Sequence, residues 1–367
     1  VSGTDLITSN GRVNITGLET AARWEYTTNG GVSWTAGSND NFTLESGSYA
    51  DGAVRARQID LAGNVGNEVT FGAITIDQTT PVAPSVDSLT TNKNAPTLTG
   101  SAILDANRRL SVDVNGVTYS VGDGALTHNT GSDSWSLTIP QGNALADGTY
   151  SVTATITDLA GNSIIDGSSD ELIVDTTAPD APGLALDTDT GASASDAVTN
   201  RGLVTVSGIT DNTTWEYSTD SGASWTAGTG NSFTLTEAVY GDGAVRARLI
   251  DAVGNKSSEA LMSTIIVDQT NPAAPLMNLI NDTGISNVDL ITSDGRVNVE
   301  GIESSALWEF STDGGLSWTA GTGSSFTLSE GSYADGAVRV RQTDLAGNAG
   351  PESSLGAITI DQTNPVI

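Results

Sequence analysis

Asp60-Leu61-Ala62-Gly63-Asn64 is a short polar turn that returns three more times along the chain. Its counterparts, which keep the Asp, the Gly and the Asn, occupy residues 158–162, 251–255 and 344–348. A second signature, Asp-x-Thr-x-Pro, follows each turn at residues 77–81, 175–179, 268–272 and 361–365. Four pairs of the same signatures in the same order indicate four copies of one module.

The spacing of these signatures predicts a string of domains. Their prolines Pro81, Pro179, Pro272 and Pro365 are 98, 93 and 93 residues apart, a period that suits independently folded domains of roughly 100 residues. We therefore predict copy one at residues 1–80, copy two at 81–178, copy three at 179–271 and copy four at 272–367. Because Val1 aligns with Ile285, copy one is expected to be truncated at its N-terminus and the chain to be an interior fragment.

Each copy reads as a series of short strands. In copy one the apolar and β-branched residues alternate in runs at residues 24–26, 32–34, 42–44, 54–57 and 73–76, separated by turn residues. No stretch shows a useful helical period. About seven strands in roughly 95 residues predict an all-β chain of four tandem Ig-like β-sandwich domains. Copy two lacks the Trp-hairpin-Trp unit of the others and is expected to keep the architecture with a divergent sequence. Proline pairs at the joints, such as Pro81 and Pro84, predict stiff linkers and an elongated rod.

The charge excludes several classes of partner. The chain carries 44 acidic and 14 basic residues, a net charge of −30, so nucleic acid and anionic membrane surfaces are disfavoured. The sequence contains no run of 18 apolar residues, so membrane insertion is not expected. With no Cys there is neither a disulfide nor a thiolate metal site, so the cores are expected to depend on Trp24 and its equivalents, and another staple is expected.

That staple is predicted to be Ca²⁺. Calcium takes six to eight oxygens in flexible geometry, and a third acidic signature, Asp-Thr-Gly-x-Ser-x-x-Asp-x-x-Thr, occurs at residues 189–199 and 282–292, with a tail in copy one at Ser2, Asp5 and Thr8. Sandwich topology would bring Asp189, Asp196, Asp268 and Asp344 together at the joint between copies three and four, with Asp187 nearby. The candidate calcium ligands are Asp60, Asp77, Asp158, Asp175, Asp187, Asp189, Asp196, Asp251, Asp268, Asp282, Asp289, Asp344 and Asp361. The alternative is that these acids only solvate ordinary Asx turns. The joint between copies two and three is expected to be weaker, because Thr91, Asn92 and Asn94 replace the early acidic loop there.

A hairpin motif offers an enzymatic alternative. Ser311-x-Asp313-x-Gly315-x-x-Trp318 recurs in copy three and, with Thr27 and Asn29 in place of the Ser and the Asp, in copy one. The pattern matches the Asp box of sialidases. In such proteins the motif resembles a structural clip, in which Asp caps the turn and Gly takes a positive φ. We interpret it as structural.

Arginine pairs suggest a binding alternative. The pairs Arg55/Arg57, Arg246/Arg248 and Arg339/Arg341 alternate on one strand of three copies, and we expect cross-strand salt bridges with Glu25, Glu216 and Glu309. A site for a carboxylate ligand or sulfated glycan, as in a lectin-like module, is the alternative. The single His128 has no evident nucleophile partner, and the chain is not expected to be an enzyme.

The three acidic signatures together resemble the bacterial Ig-like (BIg) repeats of giant adhesins exported by type I secretion. The resemblance covers nearly the whole chain. It implies a monomeric rod of Ig-like repeats with Ca²⁺ at the joints, secretion to the bacterial cell surface, a role in virulence, and adhesion to host cells or surfaces. A host-cell or glycan receptor would then be engaged through regions outside this chain, while neighbouring Ig-like repeats are the direct partners.

Overall fold

The computed structural model describes residues 6–366, all in strands, turns and loops apart from one 3-10 turn, Gln141–Asn143. The strands of copy one are Ile7–Thr8, Arg12–Asn14, Arg23–Thr27, Thr35–Ala36, Asn41–Thr43, Gly47–Tyr49, Arg55–Ile59, Val69–Thr70 and Ile74–Ile76. The strands of copy two are Leu89–Thr91, Thr97–Ser101, Arg108–Val114, Val117–Ser120, Leu126–Asn129, Ser134–Thr138, Gly148–Tyr150, Val152–Asp158, Ser163–Ile165 and Leu172–Val174.

The second half of the chain repeats the pattern. The strands of copy three are Gly183–Leu186, Val198–Thr199, Leu203–Ser207, Thr214–Ser218, Thr226–Ala227, Ser232–Thr234, Ala238–Tyr240, Arg246–Ile250, Ala260–Leu261 and Ile265–Val267. The strands of copy four are Leu276–Leu279, Ile291–Thr292, Arg296–Glu300, Leu307–Ser311, Thr319–Ala320, Ser325–Thr327, Gly331–Tyr333, Arg339–Thr343, Ser353–Ser354 and Ile358–Ile360.

Copy three shows the sandwich of one repeat. Its four-stranded antiparallel sheet has the order Thr226–Ala227, Thr214–Ser218, Arg246–Ile250, Ala260–Leu261. The facing sheet has the order Gly183–Leu186, Leu203–Ser207, Ser232–Thr234. The last strand, Ile265–Val267, pairs in parallel with Val198–Thr199 and antiparallel with Ala238–Tyr240. Across residues 6–366, every strand pairing joins strands of the same predicted copy. The prediction of an all-β chain of tandem Ig-like domains is confirmed.

Each copy has its own core. The largest residue in the cores of copies one, three and four is a tryptophan of the four-stranded sheet, and Trp24, Trp215 and Trp308 are 4–6% exposed. A glycine lies flat against each ring: a Cβ added at Gly228 would meet the Trp215 ring at 2.1 Å. Such contact requires a residue without a side chain, so a glycine is needed beside each of these tryptophans.

Copy two fills its core from the opposite sheet. In its strand Arg108–Val114, Leu110 pairs with Ile156, at the position where Trp215 pairs with Leu249 in copy three. The large ring comes instead from Trp135, 2% exposed, whose indole donates to the carbonyl of Ser85 at 3.0 Å. The divergent sequence of copy two thus keeps the sandwich and moves its tryptophan to the other sheet.

The chain divides into two compact units, Val1–Thr177 and Ala178–Ile367. The first unit contains copies one and two, and the second contains copies three and four. Among residues 6–366, no helix is long and apolar enough to cross a membrane.

Candidate functional site

The repeated Asp-x-x-Gly-Asn turn is held by its own first and last residues. In copy one, Asp60 Oδ1 accepts from the backbone N–H of Asn64 at 2.8 Å, and Asp60 Oδ2 accepts from Asn64 Nδ2 at 2.7 Å. Asp158, Asp251 and Asp344 make the same two contacts with Asn162, Asn255 and Asn348. The hydrogen bonds from Asn64, chiefly from its side chain, hold the pKa of Asp60 below its ordinary value. Both oxygens of the carboxylate therefore accept hydrogen bonds from within the turn.

The Asp-x-Thr-x-Pro signature forms a second local turn. Oδ1 of Asp77 accepts from the backbone N–H of Thr79 at 2.9 Å. The equivalent distances for Asp175, Asp268 and Asp361 are 3.1, 3.0 and 3.0 Å. This is the Asx turn that sequence alone would favour, and it does not involve the backbone carbonyl of the Asp.

In both units the turn bonds to the preceding joint through its asparagine. Nδ2 of Asn162 donates to the carbonyl oxygen of Asp77 at 2.8 Å, which links copy two to copy one. Nδ2 of Asn348 donates to the carbonyl oxygen of Asp268, also at 2.8 Å, which links copy four to copy three. Sequence reasoning paired the correct turn with the correct linker, but it missed the asparagine amide. The constant Asn at the fifth position of every turn was the available signal.

The early acidic loop of copy three completes the joint in the second unit. The Thr190 hydroxyl lies 2.8 Å from the carbonyl oxygen of Ala346. Gly191 and Gly347 let the two backbones touch: a Cβ on Gly191 would lie 2.1 Å from the carbonyl oxygen of Leu345, and one on Gly347 would lie 2.8 Å from the Gly191 nitrogen. The contact buries Ala346 to 1% exposure. The predicted meeting of loop, linker and turn thus occurs, and it is made by backbone, threonine and asparagine.

Two carboxylate oxygens of these loops have no partner. Asp189 Oδ2 accepts from the backbone N–H of Ala197 at 3.0 Å, and Asp282 Oδ2 accepts from that of Leu290 at 3.1 Å. The other oxygen of each, Oδ1, is buried without a hydrogen bond. A buried carboxylate oxygen is costly to leave unpaired, and the same oxygen is orphaned at the same position in two repeats. Each marks a place where a cation would be stabilised.

The expected convergence of four carboxylates is wrong for the described residues. No group of three or more Asp, Glu or His side chains among residues 6–366 is placed to hold a metal ion. The physical reason is local: Asp344 is bonded to Asn348, Asp268 to Thr270 and Asp196 to the Val198 N–H at 3.1 Å. A calcium ion at Asp189 would need carbonyl and hydroxyl oxygens for most of its ligands, which calcium accepts.

The remaining candidate ligands lie in similar local turns or outside the described residues. Asp289 accepts from the N–H of Ile291 at 3.2 Å, as Asp196 does in copy three. Asp187 accepts from the Thr188 hydroxyl at 3.1 Å. Ser2 and Asp5 of copy one fall outside the described residues.

The Asp-box hairpin is a clip. In copy three, the Ser218 hydroxyl donates to Asp220 Oδ1 at 2.7 Å, and the same oxygen accepts from the N–H of Ser224 at 2.9 Å. Gly222 has φ +89° and donates to Ser218 Oγ at 2.9 Å. The Ser218 side-chain bond is the largest of those that lower the pKa of Asp220 to about 2. The Ser218 hydroxyl and the Asp220 carboxylate thus find hydrogen-bond partners inside the hairpin, which agrees with the structural interpretation.

The arginine pairs form ladders with glutamates and an outer tryptophan. Arg248 bonds Glu216 at 2.6 Å and lies 3.7 Å from the centre of the Trp225 ring. Arg57 and Arg341 bond Glu25 and Glu309 and stack on Trp34 and Trp318 in the same way. The predicted salt bridges are present, and these pairs offer no unpaired arginine to a glycan.

The second arginine of each ladder has a partner that sequence reasoning missed. Arg55, Arg246 and Arg339 pair with Glu68, Glu259 and Glu352 at 3.0, 2.7 and 3.0 Å. Each of these glutamates follows its arginine by 13 residues. That constant offset in three copies was a signal for the pairing.

Comparison with known proteins finds a family model that matches one repeat. Residues 83–176 match the family model of the bacterial Ig-like domain. The match lies in copy two, whose sequence differs most from the other three. No curated protein matches the chain.

Several solved structures are similar to this chain. A tetra-tandem repeat from the extending region of a large adhesion protein is 18% identical, covers 98% of this chain and 94% of its own, and has a TM-score of 0.26. Fibronectin(III)-like modules of CbhA from Clostridium thermocellum are 11% identical, cover 50% of this chain and 93% of their own, and have a TM-score of 0.28. The human desmocollin-1 ectodomain is 9% identical to this chain. The match covers 98% of this chain and 78% of the ectodomain chain, and the TM-score is 0.26.

Proposed function

We propose that this chain is a calcium-rigidified extension segment of a giant bacterial surface adhesin, without enzymatic activity of its own. Its work would be mechanical: to hold a receptor-binding region away from the cell so that it reaches a host cell or surface. The family match of copy two and the tandem Ig-like fold support a surface role. The receptor would be a host-cell or glycan structure bound by regions outside this chain.

The observation that carries the proposal is the construction of the joints. Within each unit an asparagine amide bonds the preceding linker. In the second unit a loop also presses its backbone against the neighbouring turn through Gly191. Contacts of this kind stiffen a linker, and they serve a spacer better than a flexible tether, which would need Gly and Ser in the joint.

Calcium is proposed from the orphaned oxygens Asp189 Oδ1 and Asp282 Oδ1. With few carboxylates near each, the affinity should be weak, in the roughly 10⁻⁴–10⁻³ M range of extracellular modules. Low calcium in the cytosol would then leave the acidic chain loose for export, and millimolar calcium outside would tighten it. At ten times its Kd, an ion that binds only the folded state adds about 1.4 kcal/mol per site.

The test uses the whole chain in calcium and in chelator. We expect calcium to raise the melting temperature and to lengthen the maximum dimension measured by small-angle scattering. The double variant Asp189→Asn, Asp282→Asn should lose most of the calcium-dependent shift. Asp211→Asn, which removes a charge from an exposed turn, is the matched control and should keep it. Equal melting and equal dimensions in calcium and chelator would refute the calcium proposal.

A further inference from the structure

The sandwich of copy one has an open sheet edge. In copy four the first strand, Leu276–Leu279, pairs antiparallel with Arg296–Glu300, and copy three has the same pairing. The equivalent of Arg296–Glu300 in copy one is Arg12–Asn14, since both pair on their other side with a Phe-centred strand. Within residues 6–366, Asn41–Thr43 is the only strand that pairs with Arg12–Asn14. The described part of copy one therefore has no counterpart of the first strand.

Backbone groups of copy one face this open edge. The N–H of Ile15 donates to the carbonyl oxygen of Asp40 at 2.7 Å, on the paired side of the strand. Successive residues of a strand direct their N–H and C=O groups to opposite sides, so those of Asn14 face the open edge. In copy four the equivalent residue, Asn298, lies opposite Asn278 of the first strand. An edge with free N–H and C=O groups is a template for another strand.

Three core positions of copy one are half-exposed where copies three and four bury them. These residues are Ile15, Ala56 and Gln58. Their equivalents, which are 0–3% exposed, are Val206, Ala247 and Leu249 in copy three and Val299, Val340 and Gln342 in copy four. The three residues of copy one line a groove of about 260 Å³, together with Trp24 and Phe71. The groove thus lies where the first strand covers the core in the later copies.

The strand that fills this place in copy four turns two apolar side chains inward. Met277 and Leu279 pack against the core, whereas Leu276 is 64% exposed. Copy three uses Leu184 and Leu186 in the same way. Since successive side chains of a strand point to opposite faces, the place suits an extended segment with apolar residues at alternate positions.

Gln58 also offers a donor to such a segment. Its Oε1 accepts from the N–H of Glu19 at 3.0 Å, as Gln342 Oε1 accepts from that of Glu303 at 2.8 Å. In copy four, Nε2 of Gln342 donates to the carbonyl oxygen of Ala273 at 2.7 Å, just before the first strand. Nε2 of Gln58 has no hydrogen bond among residues 6–366. The side chain is therefore oriented as in copy four, with its amide ready for the carbonyl of an added segment.

We propose that this groove of copy one is a strand acceptor, and that its occupant is the first strand of another repeat of this kind. Main-chain hydrogen bonds to the open edge give such a contact its affinity, and the pockets for alternate side chains give it specificity. The other copies fill the place themselves: in copy two the N–H groups of Ser85 and Asp87 bond strand Thr97–Ser101, at 2.9 Å each. Copy one alone is therefore open to an added strand. This goes beyond the mechanical function proposed above, because it joins copy one to another polypeptide without a covalent bond.

The experiment titrates the whole chain with a synthetic peptide of residues 272–281, by calorimetry and in chelator so that the result does not depend on calcium. We expect one peptide to bind per chain. Amide hydrogen exchange should slow at residues 12–16 and stay unchanged at the equivalent residues 296–300, which already have their strand. A control peptide with Met277→Asp and Leu279→Asp should bind at least about tenfold more weakly, because burying two carboxylates in the groove is costly.

Asn14→Pro and Asn14→Ala are the matched variants of the chain. Proline removes the N–H that faces the open edge, a position where edge strands tolerate it, whereas alanine keeps that N–H. We expect Asn14→Pro to weaken the peptide about tenfold or more and Asn14→Ala to bind it as the unchanged chain does. Thermal melting checks that both variants remain folded, and the control peptide decides the matter if Asn14→Pro does not.

Three results would overturn the proposal. The first is that the peptide does not bind at millimolar concentration. The second is that the control peptide, or a folded Asn14→Pro variant, binds as well as its counterpart. The third is that several peptides bind per chain with altered exchange at residues 296–300, which would mean that the peptide displaces native strands and does not fill an open place.

Discussion

Gly191 and Gly284 occupy the same position in two repeats, but their surroundings differ. Both have positive φ, +101° and +122°, so a side chain strains the backbone at either place. A Cβ at Gly191 would also collide with the Leu345 carbonyl at 2.1 Å, whereas one at Gly284 would meet its nearest atom, the Ile291 oxygen, at 3.5 Å. An alanine at Gly284 would therefore cost only backbone strain. An alanine at Gly191 would cost the same strain and would also force the joint apart.

We predict that Gly191→Ala destabilises copies three and four more than Gly284→Ala does. The additional loss should be about 1–3 kcal/mol, the usual scale for forced overpacking. Urea unfolding of the whole chain, followed by tryptophan fluorescence, measures it. Equal losses for the two variants would mean that the joint adds nothing to stability.

The asparagine of the turn gives a second matched pair. Asn348 bonds both its own turn and the carbonyl of Asp268, and it is 7% exposed. Asn64 makes the same contacts with its own turn, to Asp60.

We predict that Asn348→Ala costs about 1 kcal/mol more than Asn64→Ala, the worth of one net hydrogen bond. Amide hydrogen exchange around residues 268–272 should also accelerate in the first variant and stay unchanged in the second. An unchanged exchange rate in Asn348→Ala would show that the amide does not hold the linker.

At the scale of the element, the Asp-box hairpin supplies a pH dependence. The pKa of Asp313 is lowered to about 2, chiefly by the Ser317 hydroxyl, and that of Asp220 is lowered to about 2 by the Ser218 and Ser224 hydroxyls. A carboxyl with a lowered folded pKa stabilises the fold above its unfolded pKa of about 3.9. That stabilisation is lost as the pH falls from about 4 to 2.

We therefore predict that the melting temperature falls between pH 4 and 2, and that the double variant Asp220→Asn, Asp313→Asn falls less steeply. Copy one already has an uncharged residue at the equivalent position. Asn29 stands there in place of the Asp, and its Oδ1 accepts from the N–H of Ser33 at 3.0 Å. The measurement is calorimetric melting at several pH values. Parallel pH profiles for the chain and the variant would contradict the prediction.

The sheet beside these hairpins makes the same contacts in three copies. The aromatic cores beneath are nearly superimposable in their contacts, with Tyr26–Phe42, Tyr217–Phe233 and Phe310–Phe326 stacked at 4.1, 4.1 and 4.2 Å. Above the sheet, the arginines bridge adjacent strands through glutamates. Each exposed ion pair adds little to the stability of the fold. The Arg248 guanidinium nevertheless contacts both Glu216 and the Trp225 ring, so these three side chains hold one another in place.

At the scale of the molecule, the net charge of −30 opposes the compact state through self-repulsion. Salt should therefore stabilise the chain, since the Debye length falls from about 30 Å at 0.01 M to about 10 Å at 0.1 M. We predict that NaCl raises the melting temperature, and that calcium at matched ionic strength raises it further. Magnesium, which demands a tighter octahedral shell, should behave like NaCl. If calcium and NaCl have equal effects, screening accounts for the stabilisation and the specific sites are refuted.

The repeats of the sequence predicted much of this protein. Alternating apolar residues with turn signals every few residues predicted strands and an Ig-like sandwich, because the two-residue period of a strand is read directly from the chain. The Asp and Gly of each Asx turn also followed from sequence, since their contacts span two to four residues. The salt bridges from Arg57, Arg248 and Arg341 were predicted for the same reason: alternation places them on one face beside glutamates.

Only the tertiary structure decided which groups of the joint meet. Asp189, Asp196, Asp268 and Asp344 looked like one cluster because the sandwich brings their loops to the same end. A carboxylate can point across a joint or back to its own backbone, and here the local N–H groups are its partners. The sequence therefore determined the repeats, the strands and the turns, whose contacts are short in range. The folded chain decided that the turn reaches its linker through asparagine, because that bond spans 80 residues.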